Sequence, residues 1–227
     1  MKLYTEVVQR SPAWWDLRRG RPTASEFHRI LTPAKEEYGT AGVRSYIHEL
    51  CSQTFANWAP PVMTETPNNP ALRHGTMCEP EARRFFEMET GWEVQEIGFV
   101  TSDDERFGCS PDGLLGVGGA VSPSGLELKC PQPHTQVKYL LSGKLPREYK
   151  MQVHGSMAIT GAGHWHFLSY APCMDPLLLR VERSDLTDKL AKALERFWGE
   201  YTAALSALHK CPVASGLDVR RLIRRGT

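Results

Sequence analysis

Arg106-Phe107-Gly108-Cys109-Ser110-Pro111-Asp112-Gly113-Leu114-Leu115, and then Leu126-Glu127-Leu128-Lys129-Cys130, decide how this chain folds. Apolar residues flank Asp112, with a proline before it and a glycine after it, a composition that suits a strand ending in a turn. The stretch 116–125 is rich in Gly, Ser and Pro and reads as a hairpin loop. Residues 126–130 then form the returning strand. Alternate side chains of a strand share a face, so Glu127 and Lys129 point the same way, roughly 7 Å apart at Cα. Leu126, Leu128 and Cys130 face the other way, into a core. A Glu and a Lys on a mostly apolar strand are costly to bury without a task. The hairpin brings Asp112 beside Glu127, where two anions repel unless a hard cation such as Mg²⁺ sits between them. Two carboxylates and a lysine in that order can build a metal site that hydrolyses phosphodiesters. The same residues also describe a salt-bridged surface hairpin, so the choice rests on the remainder of the chain.

With 227 residues and 41% hydrophobic content, the chain can bury one substantial core, and it reads as a single α/β domain over 1–227. A formal net charge of +1 gives no argument for nucleic acid, so any basic surface must come from local clustering. No apolar run approaches the roughly 18–20 residues needed to cross a bilayer. The first residues lack the apolar stretch of a secretion signal. Six scattered cysteines without a Cys-x-x-Cys pair fit reduced thiols and a cytoplasmic protein, not a disulfide framework, a zinc site or an iron–sulfur cluster.

Along the chain, Ser11-Pro12 caps a first helix. Thr23-Ala24-Ser25-Glu26 has capping-box spacing and opens a second helix to Ile30 or Leu31. Apolar spacing predicts helices over 42–58 and 71–90, the latter kinked at Pro80 or beginning near Cys78 or Glu79. Strands are expected over 93–101, 106–115 and 126–130. A helix over 146–160, strands over 164–170 and 177–181, and a last helix from Ser184 to Leu208 complete the pattern. The prolines of 59–70 mark a loop.

Several residues add to the hairpin. Glu79 borders the buried stripe of its helix, in step with Ala82 and Phe86, and can reach a site on the following strands. Arg18 precedes the Thr23 and Ser25 hydroxyls at a helix start, a setting that suits a phosphate or an ordinary capped basic turn. Gln152 lies on the helix after the hairpin, with Tyr149 and Ser156 as neighbours. Leu72 is either a wedge between DNA strands or a buried helix-start leucine. His164 and His166 share a strand face but lack a third ligand and read as structural. Trp14, Trp15, Trp58 and Trp198 read as core or subunit contacts. The Arg-rich segment 218–225 is either a docking tail or a frayed terminus.

Five motifs stand in order: Trp15-x-x-Arg18-x-Gly20-x-x-Thr23-Ala24-Ser25-Glu26; Gly75-x-x-x-Glu79-x-x-Ala82-Arg83; Ser110-Pro111-Asp112-Gly113-Leu114; Gly125-Leu126-Glu127-Leu128-Lys129-Cys130-Pro131; and Gln152-Val153. Together they resemble the phage lambda-type alkaline exonucleases, the YqaJ-like recombinase branch of the restriction-endonuclease-like nucleases. The resemblance runs from about Trp14 to Tyr170. It implies a restriction-endonuclease-like α/β core, with a mixed central sheet of about five strands flanked by helices. It also implies a 5′→3′ exonuclease that acts on double-stranded DNA ends and leaves a 3′ single strand for recombination. Such enzymes form trimeric rings around DNA and work with a single-strand annealing protein.

By position, the resemblance assigns Mg²⁺ or Mn²⁺ to Asp112 and Glu127, with the Leu128 carbonyl as a further ligand and Glu79 holding a second ion or its water. Lys129 would orient or activate the attacking water, or stay charged and stabilise the transition state. Gln152 would support that lysine and the site, and Arg18 with Ser25 would bind phosphate; the helix start beside the arginine makes Arg18, Thr23 and Ser25 candidates for a 5′-phosphate pocket. A restriction-like endonuclease and a non-catalytic DNA clamp are the alternatives; the complete charged trio speaks against the clamp.

Overall fold

Pro111 divides what the sequence presents as one strand over 106–115. A proline has no N–H for the ladder, and the chain changes sheet at this point. Strand β1 (Lys2–Tyr4) pairs antiparallel with β2 (Phe99–Thr101), and β2 with β3 (Gly108–Cys109), making a three-stranded sheet. After Pro111, β4 (Gly113–Leu115) starts a four-stranded sheet by pairing antiparallel with β5 (Ser124–Lys129). β5 runs parallel to β6 (His164–Ser169), which pairs antiparallel with β7 (Leu177–Glu182). The expected mixed sheet flanked by helices is present, with its strands divided between two sheets. The Gln9 amide braces the crossing, donating to Pro111 O at 2.9 Å and to Ile97 O at 3.1 Å. The computed structural model describes residues 1–55, 58–59, 70–116 and 124–210, with side chains from residue 73 onward in the helix that starts at Pro70. The Leu72 side chain, most of the proline-rich loop, the tip of the hairpin, Cys211 and the basic tail 218–225 lie outside these residues.

Helix α1 (Pro12–Arg18) is capped as expected, the Ser11 hydroxyl accepting from Trp14 N at 3.3 Å. The capping box at Thr23 does not form. Residues Ala24–Arg29 make a 3₁₀ turn, and Thr23 gives no side-chain cap. Thr23 is held extended because its N–H donates to Tyr46 Oη at 3.0 Å and it bridges Gly108 in the three-stranded sheet. Its hydroxyl is thereby turned to Arg18, and the Glu26 carboxylate accepts from Arg29 at 3.2 Å.

Helix α2 (Ala41–Ser52) stops short of the expected Trp58, where Thr54 Oγ1 donates to Cys51 O at 2.7 Å. Helix α3 (Pro70–Thr90) fills the expected 71–90 and runs through Pro80, so the alternative start near Cys78 or Glu79 does not hold; it ends before Gly91, whose φ is +70°. Helix α4 (Pro133–Ser142) is absent from the sequence reading; it has no side-chain cap and spans ten residues. Helices α5 (Arg147–Thr160) and α6 (Asp185–His209) lie where the periodicity puts them.

The four-stranded sheet is packed on both faces. Leu126, Leu128 and Leu168 meet Ala82 and Phe86 of α3 on one side. Trp165 and Phe167 join the larger core of α2, α5, α6 and the 3₁₀ turn on the other. Glu127 and Lys129 rise from this second face of β5, beside Phe167 on β6. Among the described residues no helix is long and apolar enough to cross a membrane.

Gly125 pairs with Trp165, and a Cβ at Gly125 would lie 2.2 Å from the buried indole ring. Gly125→Ala is therefore expected to destabilise the fold by about 1–3 kcal/mol through overpacking. Chemical denaturation checks this; an unchanged midpoint would show that the indole gives way freely.

Candidate active site

Glu127 is 1% exposed, and no apolar neighbour could keep a carboxylate there. Its Oε1 accepts from Gln152 Nε2 at 2.6 Å, reaching across from α5, and from Lys129 Nζ on its own strand. The strand's two-residue period brings Lys129 to that oxygen. The Lys129 ammonium also lies 5.1 Å from the centroid of the Tyr149 ring, which packs on Phe167. Burial alone would lower the Lys129 pKa, but the Glu127 and Asp112 charges outweigh it and hold the ammonium above its ordinary value. Burial pushes the Glu127 carboxyl up to about 7 despite Lys129 and Gln152.

Asp112 closes the site from the neighbouring strand. Its N–H donates to Leu126 O at 3.1 Å, and its Oδ2 accepts from Leu128 N at 2.7 Å. Burial raises its pKa, against the opposing charges of Lys129, Arg83 and Arg10. Glu79, half-buried on α3, is raised by burial and by the Asp112 charge, so the two carboxylates are electrostatic neighbours. Arg83 donates to Asp112 O at 3.4 Å and pairs with Glu96 at 3.0 Å. A cavity of about 330 Å³ opens between Arg10, Glu79, Arg83, Glu96 and Asp112.

Asp112 and Glu127 offer hard carboxylate oxygens, and burial raises the pKa of both. Among the described residues no three His, Cys, Asp or Glu side chains are grouped closely enough to hold a metal by themselves. Mg²⁺ does not require that, since it keeps several waters and uses one or two carboxylates together with substrate phosphate. The donor set thus fits a hard divalent cation.

The structure also assembles Arg18, Thr23 and Ser25. Arg18 Nη2 donates to Thr23 Oγ1 at 3.1 Å and to Ser25 Oγ at 3.3 Å, and Nη1 to Ser110 Oγ at 3.3 Å. The Trp14 ring lies 4.3 Å from the guanidinium carbon, and its Nε1 donates to Ser110 Oγ at 2.9 Å. Burial lowers the Arg18 pKa. A partly buried guanidinium among neutral hydroxyls has the chemistry to hold an anion. Arg18 and Thr23 also line a second cavity of about 440 Å³ with Trp15, Gln53 and Trp58.

The other arginines of that run serve the fold. Arg19 donates to Gln53 O and Phe55 O at 2.7 and 2.6 Å, and Arg21 to Leu17 O and Glu105 O at 2.6 and 3.0 Å. Ser110 and Trp14 are absent from the sequence reading of the site. Ser110 stands two residues before Asp112, and that spacing was the available signal. Ser110 ties the Arg18 cluster to the Asp112 segment. His164 and His166 lie edge to face at 5.2 Å on β6, and His166 packs on Phe86, away from these groups.

The YqaJ-like viral recombinase domain family matches residues 13–163. The structure is similar to that of an alkaline exonuclease, LHK-Exo, from Laribacter hongkongensis, at 30% identity and a TM-score of 0.73, covering 88% of this chain and 97% of that one. A structure of LHK-Exo in complex with dAMP matches at 30% identity and a TM-score of 0.72, covering 87% and 96%. A phage related exonuclease from Haemophilus somnus 129PT shares the fold at 14% identity and a TM-score of 0.56, covering 83% and 96%. No curated protein matches the sequence.

A carboxyl raised from 4.5 to about 7 binds its proton more tightly folded than unfolded. The folded state therefore loses stability as pH rises between those values, because the unfolded chain releases the proton first. The metal-free protein is expected to lose stability over this window, and Glu127→Gln to flatten the slope. Denaturation midpoints measured in chelator at several pH values test this; an identical slope in the variant would contradict it.

Proposed function

The chain belongs to the YqaJ-like viral recombinase family, whose solved relatives here are alkaline exonucleases, and from that premise we propose that it is a metal-dependent 5′→3′ exonuclease. Its substrate is the end of linear double-stranded DNA, of which it degrades one strand and leaves a 3′ single strand for recombination. The observation that carries this reading is the charged trio. Glu127 and Lys129 share one face of β5, and Asp112, the residue before β4, accepts from the Leu128 N–H.

Asp112, Glu127 and the Leu128 carbonyl would hold Mg²⁺, or Mn²⁺ in its place, and Glu79 a second ion or its water. The bound cation supplies Lewis-acid polarisation of the scissile phosphate and a more acidic water. Lys129, kept protonated beside two carboxylates, stabilises charge growing on the phosphoryl oxygens, the role that its raised pKa favours over proton removal. Gln152 fixes the Glu127 carboxylate by donating to one oxygen, which leaves the other to turn toward the cation.

Arg18, Thr23 and Ser25, joined by Ser110, take the 5′-phosphate and so set the polarity. The dAMP complex of LHK-Exo supports a seat for a nucleoside monophosphate in this fold. A near-neutral net charge gives weak electrostatic retention on DNA, so a homo-oligomeric ring, a trimer, retains the substrate by topology. The 3′ strand passes to a single-strand annealing protein.

Asp112→Asn, Glu127→Gln and Lys129→Met are each expected to lower nucleotide release from linear duplex by on the order of 10³-fold. Covalently closed circular duplex should stay intact with the wild-type protein. Cleavage of the circle would point to an endonuclease, and full turnover by any variant would refute the site. Arg18→Ala is expected to reduce the preference for 5′-phosphorylated over 5′-hydroxyl ends by about tenfold to a hundredfold, the scale of charge-assisted hydrogen bonds. Single-turnover rates on the two ends measure it; a preference unchanged in the variant would remove Arg18 from that role.

A further inference from the structure

The cavity between Arg10, Arg83, Glu79 and Asp112 opens beside the carboxylates of the proposed metal site, and its Arg10 has no role in the chemistry described so far. It shares no lining residue with the cavity beside Arg18. Its wall is the N-terminal segment, which packs so tightly that a Cβ at Gly98 would lie 1.7 Å from Val7 O. At the end of that segment Arg10 adopts φ +69°, the left-handed region that side-chain-bearing residues avoid. An unfavourable backbone at a site edge is a pointer toward function, because the surrounding structure must hold it there.

Two guanidiniums meet the cavity, and they are committed differently. Arg83 is engaged in place, Nη1 on Glu96 at 3.0 Å and Nη2 on Asp112 O at 3.4 Å. Arg10 is exposed, and its Nη1 donates to the neutral Thr76 hydroxyl at 3.1 Å. Among the described residues no carboxylate lies within 4.0 Å of the Arg10 guanidinium. Its charge is left for an anion arriving beside Asp112 and Glu79. A nucleic-acid strand whose 5′-phosphate rests on Arg18 and whose scissile phosphate lies at Asp112 and Glu127 must carry its next phosphate beyond the carboxylates.

We infer that Arg10 seats, in this cavity, the backbone phosphate of the first linkage on the 3′ side of the scissile bond, in the strand being degraded. The assignment rests on the exonuclease reading. Arg10 acts as a guide for the part of that strand not yet cut: it contacts substrate away from the reacting atoms and fixes the register of each advance. Arg18 reads the end, and Arg10 reads the backbone behind the cut.

The test uses the full-length protein and two linear 5′-phosphorylated duplexes, one all-phosphate and one with a neutral methylphosphonate at that linkage. Single-turnover rates are measured for wild type, Arg10→Gln and Arg10→Lys. The methylphosphonate is expected to slow wild type about tenfold, the scale of one charge-assisted contact. Arg10→Gln is expected to be slowed about tenfold on all-phosphate DNA and to show no further loss on the neutral linkage. Arg10→Lys should recover part of the rate and regain sensitivity to that linkage. Duplex affinity in Ca²⁺ should fall in Arg10→Gln, with a salt slope shallower by about one. Multiplying losses, in which the methylphosphonate still slows Arg10→Gln tenfold, would overturn the seat while leaving the exonuclease reading intact. A wild type indifferent to the modification would do the same. Failure of wild type to degrade either duplex would overturn both.

Discussion

A buried Glu127 on β5 and a partly buried Asp112 just before β4 impose the constraint that the rest of this structure answers. Asp112 and Glu127 repel each other, and burial raises the pKa of both. Each compensation visible in the fold serves one of them. The Leu128 N–H is turned to Asp112, the Gln152 amide reaches from α5 to Glu127, and Lys129 returns along its own strand. These partners soften the repulsion without removing it, and a hard cation is the partner whose chemistry would complete the balance.

The division of the fold into two sheets follows the same logic. Had the strand before Asp112 continued straight, it would have extended the three-stranded sheet and carried the carboxylate away from β5. The break at Pro111 passes the chain to the four-stranded sheet, and Gln9 pins the crossing through two carbonyls. Ser110 ends one side of that break and Asp112 begins the other. The Arg18 cluster proposed to take a phosphate and the carboxylate site are therefore fastened through two residues of one extended segment. The core on the α3 side holds Leu126 and Leu128, fixing the face on which Glu127 and Lys129 emerge. Basic residues are divided just as unevenly: Arg19 and Arg21 bind backbone carbonyls, while Arg18 and Arg10 face hydroxyls.

What the sequence made legible were features governed by local periodicity. Alternation along 126–130 places Glu127 with Lys129 and opposite Leu128, and the helical spacing of Ala82 and Phe86 places Glu79 at the border of the buried stripe. Features governed by competition between local and distant partners were not legible. The Thr23 box has the right spacing, yet Tyr46 and the Gly108 bridge hold Thr23 extended and leave its hydroxyl to Arg18. Helix α4 has no side-chain cap, and its hydrophobic periodicity is too short to separate it from a loop. Ser110 escaped because a serine before a proline reads as a turn residue, whereas its hydroxyl matters only once Arg18 and Trp14 are folded against it.

Metal capture by the paired carboxylates is the claim on which the chemistry depends, and titration of Mn²⁺ into the protein, followed by the loss of free-ion paramagnetic resonance signal, addresses it without requiring turnover. At a pH above the range where Glu127 titrates, the wild-type chain should bind Mn²⁺, and the Asp112→Asn, Glu127→Gln double variant should leave the free-ion signal undiminished. Equal binding by the two proteins would place the ion elsewhere and contradict the account.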